Sequence, residues 1–119
     1  MRYPPSLARD QACARLAMEV AAYVTEVDVG AIAASGRGSA DAASARQLAM
    51  YLTHVAFEMS LARVAVAFAR DRSTVAHACR LIEDRRDDAA FDNHIDALET
   101  MLREAPPPGA VAQMGAVRR

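Results

Sequence analysis

Leu61, Val64, Ala65 and Phe68 fall at i, i+3, i+4 and i+7, the spacing that places four apolar side chains on one face of a short helix. A stripe of that kind is stable only when another element covers it, and similar stripes recur along the chain. Leu16, Val20 and Tyr23 or Val24 repeat at helical spacing within Leu7 to Thr25, and a second, short apolar patch follows at Val29, Ile32 and Ala33. Leu48, Tyr51 or Leu52, Val55, Ala56 and Met59 make a third stripe. Val75, Ala78, Cys79 and Ile82 line a helix predicted from about Ser73 to Arg85, and Phe91, Ile95, Leu98 and Leu102 line one from about Asp88 to Glu104.

The apolar share is 53% and the aromatic share only 5%, with Ala dominating, which is the composition of packed helices rather than of a sheet. A length of 119 residues suits one core and leaves no room for a second domain of ordinary size. The expectation is a compact all-α bundle of five to six helices over residues 7–104. Two prolines at the start and the run Ala105-Pro106-Pro107-Pro108-Gly109 predict flexible tails at 1–6 and 105–119. Between helices, Ser35-Gly36-Arg37-Gly38-Ser39 reads as a flexible connection and Ala69-Arg70-Asp71-Arg72 as a tight one. Ser44-Ala45-Arg46-Gln47 fits a capping box opening the third helix.

Several functional classes fit the sequence poorly. No apolar run reaches the roughly 18–20 residues of a membrane span, and the N-terminus lacks the apolar core of a secretory signal, so a cytoplasmic, nucleoid-associated protein is expected. Cys13 and Cys79 stand apart with no Cys-x-x-Cys pair or His cluster, which predicts packing thiols and no metal. No nucleophile with its base and no paired carboxylates stand out, so no enzyme and no cofactor are expected.

The net charge of −1 conceals an uneven distribution. Arg37 to Arg80 holds six Arg against three acids, whereas Glu83 to Glu104 holds three Arg against eight acids. Within the basic stretch a short helix, a tight turn and a second helix span about residues 60–86, the layout of a helix-turn-helix. Arg72, Ser73 and Thr74 crowd the start of its second helix, and His77 lies one turn on along the same face. Arg can fork onto guanine there, and the hydroxyls can meet other base edges. The bland alternatives are that His77 is a solvated helix residue, that Asp71 is a helix cap, and that Arg80 forms a phosphate contact or a surface ion pair. His54 and His94 read as structural or surface residues, Tyr51 and Met59 as core, and Glu83 to Asp88 as a solvated acidic face.

The segments Ala45-Arg46-Gln47-Leu48-Ala49-Met50-Tyr51-Leu52, Ser60-Leu61 through Ala67-Phe68, and Arg70-Asp71-Arg72-Ser73-Thr74-Val75-Ala76-His77-Ala78-Cys79-Arg80-Leu81-Ile82-Glu83 closely resemble the C-terminal DNA-binding domain of the DnaA family. The likeness extends more faintly upstream, through Val20-Ala21-Ala22-Tyr23 and the Arg37 loop, and in all covers roughly Leu16 to Leu102. It implies a Trp-repressor-like helix-turn-helix that binds double-stranded DNA. It also implies major-groove roles for Asp71, Arg72, Ser73, Thr74 and His77, with phosphate contacts from Arg46 and Gln47 and from the backbone of Leu61 and Ala62. Arg37 stands where the family has a minor-groove arginine, with the loop spacing off by about one residue; Arg70 and Arg80 complete the candidate DNA-binding set.

Three departures accompany the likeness. Arg72 replaces the family's usual His, one residue is missing between Phe68 and Arg70 where a glycine pair is usual, and no phosphate loop with Lys-Ser/Thr is present. The expected function is a transcription regulator working with a co-activator or RNA polymerase component, similar to the short DnaA-like activators of gene transfer agent clusters in alphaproteobacteria. Alternatives are a replication-control accessory that occupies DnaA sites and a protein-interaction bundle.

Overall fold

A computed structural model describes residues 6–105, and these form six α-helices and no strand. They are α1 (Leu7–Thr25), α2 (Val29–Ala33), α3 (Ala40–Ala56), α4 (Leu61–Phe68), α5 (Arg72–Arg85) and α6 (Ala89–Glu104). The expectations for residues 1–5 and 106–119 lie outside the described residues, whereas Ser6 and Ala105 cap the first and last helices.

Small polar residues set the helix starts. Ser6, Asp28, Ser39, Ser60 and Asp88 each accept a hydrogen bond from the backbone N–H three residues on, satisfying one of the donors a first turn leaves unpaired. The capping box expected at Ser44 and Gln47 is not used. Ser39 already caps α3, so Ser44 and Gln47 lie inside the helix; either serine suited a cap, and the glycine-bearing connection ending at Gly38 placed the break earlier.

α3 is the central element and packs against every other helix. Leu48, Ala49, Met50, Tyr51, Leu52 and Ala56 are buried along it. Against them stand Cys13, Ala14, Ala17 and Ala21 of α1, Ile32 of α2, Val64 and Phe68 of α4, Val75, Ala78 and Ile82 of α5, and Ile95, Leu98 and Leu102 of α6. Alanines at these contacts let helix axes approach closely, which accounts for a core this poor in aromatics. Cys13 and Cys79 serve the packing expected of them, and burial raises both thiols, Cys79 to about 11.

Two polar clusters tie the bundle together. Arg63 of α4 grips the buried Asp10 of α1, with Nε on Oδ2 at 2.9 Å and Nη2 on Oδ1 at 2.5 Å. At the far end of α5, Arg86 donates to Asp92, Asp96 and Glu99 of α6 and to the Tyr51 hydroxyl of α3, which itself donates to Glu83. The acids of the run Glu83 to Asp88 are exposed, as a solvated face requires, but Glu83 and Arg86 within it also join the fastening between α3, α5 and α6. Burial lowers the Arg86 guanidinium, but its hydrogen bonds to Asp92, Tyr51 and Glu99 outweigh that, and the net shift is strongly upward.

Candidate nucleic-acid interface

α4 and α5 pack against each other through a three-residue turn, Ala69 to Asp71. The turn is made by Ala69, which takes a left-handed conformation at φ 54 and donates its N–H to Val66, while the Arg70 N–H bonds the Ala65 carbonyl. This is how the helix-turn-helix closes with one residue fewer than the resemblance leads one to expect. A side chain in that conformation is strained by roughly 1 kcal/mol relative to glycine.

The turn delivers α5 with its start facing solvent. Arg72, Ser73, Thr74 and His77 are all exposed, as are Asp71 and Arg80, while Val75, Ala78 and Ile82 anchor the opposite face. Asp71 occupies the N-cap position but its side chain makes no cap hydrogen bond, so its carboxylate is not engaged by the helix. The amides of the first turn of α5 consequently have no capping side chain among the described residues, and they present the positive end of the helix outward. α4 differs, since Ser60 caps the Arg63 amide; the N–H groups of Leu61 and Ala62, in the same first turn, take no acceptor among the described residues.

A cleft of about 240 Å³ opens beside the start of α5, lined by Arg37, Ala43, Arg46, Gln47, Met50, Arg70 and Thr74. The fold thus brings together five of the residues singled out in the sequence, from the 34–39 connection, α3, the turn and α5. Ala43 and Met50, on the same face of α3 as Arg46 and Gln47, complete the wall; their i, i+3 and i+4 offsets from those two residues are the signal that could have found them. Leu61, Ala62, Asp71, Arg72, Ser73, His77 and Arg80 lie outside the cleft.

The three arginines of the cleft are in different states. Arg37 is exposed on its loop. Arg46, expected on a phosphate, is only 5% exposed, and its guanidinium is engaged internally. Its Nε donates to the Ile32 carbonyl at 2.8 Å, Nη2 to Ala31 at 3.0 Å and Nη1 to Arg37 at 3.1 Å. The first two carbonyls belong to the last turn of α2, where orphan acceptors favour a cation. Burial, then the positive charges of Arg70 and Arg37, push the Arg46 guanidinium below its ordinary value. Arg70, half-buried, donates through Nη2 to the carbonyls of Ala34 and Gly36.

A family described as the bacterial DnaA protein helix-turn-helix matches residues 15–82, more than half of the chain. The chromosomal replication initiator protein DnaA of Chromobacterium violaceum is 42% identical over 71 residues, covering 58% of this chain and 15% of the relative. A solved structure described as a DNA replication initiation factor superposes with a TM-score of 0.71 at 28% identity, over 82% of this chain and 30% of that one. The chain therefore spans less than a third of the length of either protein it resembles.

Proposed function

The chain belongs to the bacterial DnaA helix-turn-helix family, and from that premise we propose that residues 7–104 bind double-stranded DNA at a defined sequence and regulate transcription from it together with a protein partner. One observation carries the reading. The start of α5 presents Arg72, Ser73, Thr74 and His77 to solvent, with a cleft walled by Arg37, Arg46 and Arg70 directly beside it. A helix whose N-terminal residues are polar and uncovered suits the major groove, and the arginines supply the positive charge the phosphate backbone demands.

In this reading Arg72 forks onto a guanine edge, Ser73, Thr74 and His77 meet neighbouring bases, and Asp71, lacking a cap bond, accepts from a base amine. Gln47 and the amides of Leu61 and Ala62 hold phosphates, Arg80 reaches a phosphate further along, and Arg37 enters the adjacent minor groove. The formal net charge of −1 does not oppose this reading, because Arg37, Arg46 and Arg70 line one cleft beside α5, while Glu83 is bonded to Tyr51, and Asp92, Asp96 and Glu99 to Arg86. A second reading, occupation of DnaA-type sites in replication control, draws support from the initiator proteins it resembles.

Titration against a preferred site and a scrambled duplex at several salt concentrations tests the proposal. Arg72→Ala is expected to cost about 1–3 kcal/mol on the preferred site and little on the scrambled one. Gln47→Ala is expected to weaken both alike and, because a neutral amide displaces no counterion, to leave the salt slope unchanged. Absence of any salt-sensitive affinity in the wild type overturns the reading. Binding across the genome confined to promoters favours transcription; enrichment at the origin favours replication control.

A further inference from the structure

Five carbonyls of the 31–37 segment are held by two arginines from elsewhere in the fold. Arg46 of α3 takes those of Ala31, Ile32 and Arg37; Arg70, from the turn that launches α5, takes those of Ala34 at 2.5 Å and Gly36 at 3.1 Å. Arg70 is separated from these partners by 36 and 34 residues. It links the loop bearing Arg37 to the turn bearing Asp71 and Arg72. A Gly-rich connection such as Ser35-Gly36-Arg37-Gly38 samples many conformations unless its backbone acceptors are engaged, and ordering it costs conformational entropy. Engaging carbonyls through guanidinium N–H groups meets that cost with charge-assisted hydrogen bonds before DNA arrives.

We propose that Arg70 is a positioning residue, which straps the Arg37 loop to the start of α5 so that Arg37 and Arg72 meet two grooves of one duplex as a single pre-set unit. The inference rests on the DNA-binding reading above and reassigns Arg70 from contacting DNA to acting through Arg37. Three arginines sharing one cleft repel one another, and the engaged carbonyl dipoles offset that repulsion for Arg46 and Arg70 while Arg37 extends outward.

The test is a double-mutant cycle on the full chain with a preferred duplex, combined with backbone NMR relaxation of the free protein. Arg70→Ala is expected to weaken binding about tenfold in the wild type and less than about twofold when Arg37 is already Ala, because its effect passes through Arg37. In the free protein the same substitution is expected to lower the backbone order parameters of Ser35 to Gly38 while those of α3 and α5 stay unchanged, a readout that a lost phosphate contact does not move. Costs that add in full, or unchanged order parameters in the loop, overturn the proposal and leave the DNA-binding reading standing. A wild type that binds no duplex overturns both. Arg70→Lys, which keeps the charge but loses the planar fork, guards against a general charge effect: full wild-type affinity together with a mobile loop contradicts the strap.

Discussion

The Arg86 guanidinium donates to the Tyr51 hydroxyl at 2.9 Å across 35 residues of sequence, and through that bond the end of α5 is fixed to the middle of α3. Arg86 also holds the buried Glu99 at 3.0 Å and the half-exposed Asp92. The orientation of α5, and hence of the surface at its other end, depends on this anchor.

Removing the cation leaves Glu99 buried with the more distant Arg103, at 3.7 Å, as its remaining ion-pair partner among the described residues. Loss of one partner from a fully buried pair costs about 3–5 kcal/mol, and the exposure of Asp92 and Asp96 brings the expectation for Arg86→Ala to about 2–3 kcal/mol. Urea denaturation followed by circular dichroism checks this. A change below about 0.5 kcal/mol contradicts the anchoring role.

Tyr51 gives the same cluster a signature in alkaline solution. Burial, and next its hydrogen bond to Glu83, raise its phenol to about 12, above the ordinary value near 10. A group raised in the folded state contributes stability that is complete below its unfolded value and is lost as pH rises through its folded value. Stability is therefore expected to fall between about pH 10 and pH 12, and Tyr51→Phe to remove that part of the decline. Absorbance at the phenolate band is expected to show one late-ionising phenol that disappears in Tyr51→Phe; its persistence in that variant contradicts the assignment.

Ala69 makes the turn at φ 54. Ala69→Gly relieves the left-handed strain but frees the unfolded chain, and the balance at a strained site is expected to stabilise the fold by about 0.5–1 kcal/mol. A lowered thermal midpoint contradicts this account of the turn.

Asp71 stands at the N-cap without capping. Asp71→Ala is accordingly expected to change folding stability by less than about 0.5 kcal/mol, where a working cap costs about 1. Binding to the preferred duplex is expected to fall while folding does not. Equal losses in both measurements make Asp71 a structural residue.

Much of the fold was legible from local pattern. The α4 stripe is borne out at its inner positions Val64, Ala65 and Phe68, and the stripe of α5 at Val75, Ala78 and Ile82; Leu61 and Cys79 are only half-buried. Leu7–Thr25 is the first helix as read, and the patch at Val29, Ile32 and Ala33 is a helix of its own. The start of α3 was misplaced because Ser39 and Ser44 carry equivalent capping chemistry, and only the path of the preceding loop separates them. Arg46, Arg70 and Arg86 were opaque for a different reason. Their partners lie 6 to 36 residues away, and no periodicity records which carbonyl or carboxylate a guanidinium will meet. An arginine in a basic stretch reads as a contact for DNA, although burial can turn it inward to hold a loop, as at Arg46.

Selection of bound sequences from a random duplex pool is the decisive measurement, because one experiment both detects sequence-specific binding and reveals the site. One motif is expected to be enriched, with an A·T-rich flank where Arg37 reaches the minor groove and a guanine whose enrichment vanishes when the selection is repeated with Arg72→Ala. A pool that emerges without enrichment, or a motif unaltered by that substitution and by changes at Ser73, Thr74 and His77, contradicts DNA reading by the exposed start of α5.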